Sequence, residues 1–148
     1  MLYDLTRHET LREITNDTGL AQVGDCIVNL CYSVAKSLVL GRLHGERVRD
    51  IILARAIRSS CVYESIGKRT DVGKAADTYE AIIAYCWLRG LVSIEQMVQV
   101  LVDNLNDDIS GSISREVATA SVAFASLLES IVRALPSSVV GQAQGKAL

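Results

Sequence analysis

The sequence predicts an all-α fold, and three observations carry that prediction. Proline occurs once in 148 residues, as Pro136, so almost nothing interrupts a helix before the last dozen residues. Hydrophobic residues make up 49% and aromatic residues only 5%, which describes an aliphatic core of Leu, Ile, Val and Ala. Ala and Leu are also strong helix formers, and apolar residues recur at helical spacing between recognisable caps and stops. A chain of this length builds one domain with a proper core but not two ordinary ones.

Six or seven helices in one bundle follow from those signals. A short helix covers about Glu9 to Thr15. A long one runs from about Thr18 to Leu40, capped by Asp17 or Thr18 and stopped by Gly41. Gly41 to Glu46 reads as a loop, followed by a basic amphipathic helix from Arg47 to Ser60 with Val48, Ile51, Ile52, Ala54 and Ile57 as its apolar stripe. Cys61 to Ile66 suits a helical turn, and Gly67 to Gly73 a polar, basic loop. The next helix spans about Lys74 to Arg89 and ends at Gly90. Ser93-Ile-Glu-Gln96 has the form of a capping box and opens a helix to about Asn106, after which Asp107 to Ser112 is a connector. A last helix runs from about Ser114 to Leu135 and stops before Pro136. The expected domain is therefore residues 1–136, with a small, polar, loose tail over 137–148.

No secretory or transit signal is visible among the charged residues of the first turns, Asp4, Arg7, Glu9, Arg12 and Glu13. The most apolar run, Cys26 to Leu40, carries Asn29, Ser33, Lys36 and Ser37 and reads as too short and polar for a membrane span. A cytoplasmic protein with no membrane partner is expected. Cys26, Cys31, Cys61 and Cys86 form no C-x-x-C pair, and all four sit in apolar sequence, so buried reduced thiols are expected. The net charge of −2 argues against nucleic-acid binding, but its distribution argues for it. Residues 1–35 carry −3, residues 36–74 carry +5 and residues 75–148 carry −4, so basic charge gathers in the middle third. That suits a surface contacting phosphates, although for any single Arg a solvated helix face is the simpler reading.

Three carboxylates stand out. Between Gly19 and Leu40 the only charged residues are Asp25 and Lys36; between Ala75 and Leu88 they are Asp77 and Glu80, whose i, i+3 spacing places them on one face. A buried, unpaired carboxylate costs several kcal/mol, roughly, unless it is protonated, paired or bound to metal. One site accounts for all three if the two helices cross and Asp25, Asp77 and Glu80 converge on a hard cation. Mg²⁺, or Mn²⁺, suits an all-oxygen set. Zinc does not, because His8 and His44 are remote in sequence from the acids, and a ferritin-like di-iron centre lacks its Glu-x-x-His. The alternative is that each acid lines a helix end or a contact between subunits.

The residues around these acids resemble a known family. Leu20-Ala-Gln-Val-Gly-Asp-Cys-Ile-Val-Asn-Leu30 resembles the ribonuclease III signature, a helix centred on hydrophobic-Gly-Asp-Ala-hydrophobic-hydrophobic. Asp77-Thr-Tyr-Glu-Ala-Ile-Ile-Ala-Tyr-Cys-Trp-Leu-Arg-Gly90 resembles the family's second motif, Asp-x-x-Glu-Ala followed by hydrophobic residues and a closing glycine. Order and separation extend the likeness over roughly residues 18–105. It implies the helical bundle of a ribonuclease III endonuclease domain and an obligate homodimer with the signature helices near the two-fold axis. Between the subunits a valley would take double-stranded RNA. Asp25, Asp77 and Glu80 would be the catalytic, metal-binding acids, and Lys68, Arg69 and Lys74, just before the second motif, are placed where phosphate contacts are expected.

Two departures qualify the match. The common signature has glutamates four and seven residues before its aspartate, and here those positions are Ala21 and Thr18. The compact bacterial Mini-III relatives are similar in having Ala at the nearer position. No double-stranded-RNA-binding domain is expected in the dozen residues after Pro136, which is closer to the small archaeal ribonuclease III-like proteins. The expected function is metal-dependent cleavage of double-stranded or structured RNA, a ribosomal RNA precursor being one candidate substrate. The alternative is a weak or silent ribonuclease III fold that binds RNA or a protein as a scaffold.

Overall fold

A computed structural model describes residues 1–63 and 71–135, and among these the chain is helical with no strand. Six α-helices follow in order: α1 Leu11–Thr15, α2 Thr18–Leu40, α3 Asp50–Arg58, α4 Val72–Leu88, α5 Ile94–Asn104 and α6 Ile113–Ala134. Short 3₁₀ turns occupy Leu2–Leu5 and Asp107–Ser110. The expected tail and the Glu64–Ile66 part of the expected turn, like Lys68 and Arg69, lie outside the described residues.

The ends of the helices follow the signals in the sequence. Asp17 caps α2 by accepting from the Leu20 N–H at 3.1 Å. Gly41, at φ 74°, closes α2 in the left-handed conformation that glycine adopts without cost. Gly90, at φ 71°, does the same for α4: the Leu91 N–H reaches the Cys86 carbonyl and the Gly90 N–H that of Trp87, the paired bonds of a Schellman motif. Ser93 and Gln96 bond each other's backbone N–H reciprocally, a complete capping box for α5.

The helix α4 is the centre of the domain. Residues all around it are buried, from Ala75 to Leu88, as a helix enclosed by others requires. Its heaviest packing is against α2, then α3, while α6 covers α3 and α5. Tyr79 anchors this core: its hydroxyl donates to the Phe124 carbonyl at 2.6 Å, and its ring meets that of Phe124 edge-on with centroids 5.8 Å apart.

The cysteine expectation needs correction. Cys31 and Cys86 are buried, their thiols pushed up to about 12 by burial, but Cys26 and Cys61 are exposed. Apolar neighbours in sequence do not bury a residue that lies on the outer face of its helix. Cys26 sits there with Val23, Leu30, Val34 and Leu38, exposed by 40, 50, 39 and 63%. The whole of α2, at 23 residues, is long and apolar enough to cross a membrane by length and composition, and 39% of its apolar window is buried within the domain.

Lys36, the other charge on α2, is only 5% exposed and is fully engaged. It pairs with Glu46 and with Glu116, the latter at 3.4 Å, and Glu116 also accepts from the Tyr32 hydroxyl at 2.8 Å. Paired and hydrogen-bonded in this way, two opposite charges tolerate burial.

Candidate active site

A single contact sets the geometry of the site. Where α2 crosses α4, the helices approach so closely that a Cβ on Gly24 would lie 1.9 Å from the Glu80 carbonyl oxygen. Only glycine permits that approach. Its neighbour Asp25 is thereby brought near Glu80, one from each helix, close enough for the Asp25 charge to act on the Glu80 carboxyl.

An open cavity of about 980 Å³ spreads from this crossing. Asp25, Asp77 and Glu80 all line it, together with Asp50, Asp71, Arg47 and Lys74. The acids differ in burial. Glu80 is buried, Asp25 is half-buried and Asp77 lies in the open, so the expectation of three stranded buried charges holds fully for Glu80 alone. Burial, then the Asp25 charge and hydrogen bond, then Asp77 and Asp50, push the Glu80 carboxyl up to about 8. Burial and the neighbouring Asp50, Asp25 and Asp71 raise Asp77 as well.

Asp50 was not among the expected site residues. It opens α3 as an acid in the first turn, where the helix dipole alone accounts for it, and sequence offers no sign that it faces α4. Arg47 was expected to begin that helix, yet α3 starts three residues later. The chain from Leu43 to Arg49 instead runs extended along α2, docked on a polar ladder. The Ser37 hydroxyl accepts from the His44 N–H at 2.8 Å, the Ser33 hydroxyl from the Glu46 N–H at 2.9 Å, and the Asn29 carboxamide oxygen from the Val48 N–H at 2.7 Å. Four residues of helix rise about 6 Å and two extended residues about 6.6 Å, so the two periods keep step. Asp25 is the next rung, and there Arg47 meets it: one guanidinium nitrogen lies 3.1 and 3.2 Å from the two carboxylate oxygens. Asn29 donates to the same carboxylate at 3.1 Å.

The basic residues divide. Lys74 lines the cavity beside Asp71, which caps α4 by accepting from the Lys74 N–H at 2.8 Å. His8 approaches the rim more closely than its place in sequence suggests, its Nε2–H donating to the Asp17 carboxylate at 2.7 Å. Asp17 lines the cavity too, its carboxyl held low by the His8 hydrogen bond and the Leu20 N–H. His44 stays with Glu46 on the other side of the ladder.

The donor set suits a hard divalent cation: carboxylates only, with Glu80 raised by burial and then by the neighbouring acids. The donors are not yet gathered. Among the described residues no three acidic, His or Cys side chains stand together as a metal-holding group, and Asp25 is engaged by Arg47. Thr18 and Ala21 line the same cavity, so the two positions expected to carry glutamates face the site.

A family model described as ribonuclease III matches residues 18–137, which is most of the chain. No curated protein matches it.

Proposed function

The chain belongs to the ribonuclease III family, and on that premise we propose that it is a divalent-metal-dependent endoribonuclease acting on double-stranded or structured RNA. The observation that carries the reading is the Gly24 crossing, which sets Asp25 against Glu80 at the floor of a cavity also lined by Asp77 and Asp50. Asp25, Asp77 and Glu80 are the residues that would hold Mg²⁺ or Mn²⁺, with Asp50 within the same wall. Bound there, the cation supplies the charge neutralisation and water activation that phosphodiester hydrolysis needs.

The protein's own part is largely positioning. The crossing fixes Asp25 relative to Glu80 through two rigid helices. Lys74, with Arg47, puts positive charge in the wall of a largely acidic cavity, where an RNA phosphate would approach. Lys68 and Arg69, just upstream, extend that assignment. Duplex RNA is recognised mainly by shape and backbone, so a catalytic domain can select it without a separate binding module.

A homodimer belongs to the same proposal. The outer face of α2 presents Val23, Cys26, Leu30, Val34 and Leu38 to solvent, and a second copy of this helix would cover them. A ribosomal RNA precursor is the candidate substrate and the cytoplasm the setting; the four free cysteines accord with a reducing compartment.

The second reading, a silent ribonuclease III fold acting as a scaffold, is favoured by Thr18 and Ala21 facing the cavity. One assay separates the two. Long duplex RNA is incubated with Mg²⁺ or Mn²⁺ and the wild-type protein, Asp25→Asn or Glu80→Gln. The nuclease reading expects cleavage by wild type and a loss of at least about 100-fold in each variant, the scale of removing a group that stabilises the transition state. No cleavage at high protein concentration, or equal cleavage by the variants, refutes it; duplex binding without cleavage supports the scaffold.

A further inference from the structure

We propose that Arg47 is the built-in counter-ion of the carboxylate cavity, holding Asp25 when no metal is bound and yielding it when one binds, so that this arginine sets the site's metal affinity. The inference rests on the metal-dependent reading above and adds to it a residue outside both sequence motifs.

Three observations support it. First, Arg47 addresses both Asp25 oxygens, at 3.1 and 3.2 Å, while Asn29 takes one of them as well. A cation cannot be liganded by Asp25 without competing with that guanidinium for the same lone pairs. Second, Arg47 is the lysine or arginine that, among the described residues, the structure pairs with an acid of this cavity; Lys74 lines the wall without such a pair. The remaining acids repel one another, so a positive charge at Asp25 is what the metal-free site needs. Third, the ladder separates the backbone of Arg47 from its side chain. Ser33 and Asn29 pin the chain on either side, at Glu46 and Val48, while the Arg47 side chain is 79% exposed. Its guanidinium is free to swing out without disturbing the segment that carries it.

Asp25 is turned to Arg47, and the exchange of one cation for another is what would release it. Exposed arginine–carboxylate pairs are individually weak, so the exchange is reversible and its effect on affinity is modest, about two- to fivefold.

The test is Mn²⁺ binding, followed by the loss of the free-ion electron paramagnetic resonance signal, with the thermal unfolding midpoint measured in parallel. Wild type is compared with Arg47→Ala, Arg47→Lys, Asp25→Asn and Glu80→Gln. The expected result is about two- to fivefold tighter binding in Arg47→Ala, with a larger metal-induced rise in Tm than in wild type. Arg47→Lys, which keeps the charge on a shorter side chain with a compact ammonium, falls between them. Equal or weaker Mn²⁺ binding by Arg47→Ala, while Asp25→Asn and Glu80→Gln lose binding, overturns the counter-ion proposal and leaves the site intact. If wild type binds no Mn²⁺, or the two carboxylate variants bind it as wild type does, the metal-site reading itself fails and takes this inference with it.

Discussion

Replacing Gly24 by alanine tests the contact on which the site depends. The added methyl would sit 1.9 Å from the Glu80 carbonyl oxygen, 2.4 Å from its carbon and 2.8 Å from its Cα. All three are backbone atoms, so no rotamer change relieves the clash; α2 and α4 must move apart. Overpacking of a tight core costs about 1–3 kcal/mol, and a contact this short belongs at the upper end. Alanine recovers roughly 1 kcal/mol of helix propensity, leaving a net loss of about 2 kcal/mol. For a domain of this size that lowers Tm by about 4–8 °C.

The same displacement draws Asp25 away from Glu80, so Mn²⁺ affinity falls together with stability. Gly73→Ala is the control: its Cβ would meet only the Asp71 side chain, at 3.5 Å, and it should leave stability unchanged or raise it slightly. Urea unfolding and Mn²⁺ titration of both variants decide the matter. A Gly24→Ala protein within about 0.5 kcal/mol of wild type and binding metal equally well would show that the helices are not locked at this crossing.

Three further outcomes follow from the same contacts. Glu80 has its folded value, about 8, above its ordinary 4.5, so the folded state binds the extra proton between those values. Metal-free stability therefore falls as pH rises from about 4.5 to about 8, by at most about 5 kcal/mol; Glu80→Gln flattens that slope in pH-dependent urea melts, and an unchanged slope contradicts the assignment. Lys36→Met strands Glu116 in the interior and should cost about 3–5 kcal/mol, much of it recovered by adding Glu116→Gln; failure to recover in a double-mutant cycle would mean that Lys36 acts by packing alone. Leu30→Glu places a charge in the exposed stripe of α2 and should convert a dimer to monomer by light scattering without lowering the helix content.

What was legible in the sequence was whatever is written locally. Asp17, Gly41, Gly90 and the Ser93–Gln96 pair act through neighbours within a few residues, and each ends or begins a helix as its residue type requires. Gly24 beside Asp25, and Asp77 with Glu80, were visible because two motifs carry them. The burial of each acid was not. Whether a carboxylate is buried, half-buried or exposed depends on which helix crosses above it, and periodicity along one sequence cannot rank three acids on that scale. The exposed Cys26 shows the same gap, since α2 is apolar on its outer face as well as its inner one.

Arg47 and Asp50 were hidden for a different reason, and it bears on how the site works. Gly41 to Glu46 reads as a loop and Arg47 as the start of a basic helix, so nothing suggests a docked segment that continues to Arg49. The cause lies a full helix away. Asn29, Ser33 and Ser37 recur every four residues on α2, and their side chains accept from the backbone N–H groups of Val48, Glu46 and His44. The ladder holds Val48 against Asn29, and α3 begins only at Asp50. That delay places Arg47 at Asp25 and Asp50 in the wall opposite α4. Had the helix begun at Arg47, the rung between Val48 and Asn29 would have been lost, and Asp25 would have been left without its cation. The polar residues of α2 therefore dock the segment that brings Arg47 to the cavity. Asn29→Ala should loosen that wall more than it loosens the core, reducing Arg47's hold on Asp25 with only about 1 kcal/mol lost in global stability. Hydrogen exchange at Val48 measures it. Unchanged protection there in the variant would mean that the extended segment is held by its own packing and that the ladder is incidental.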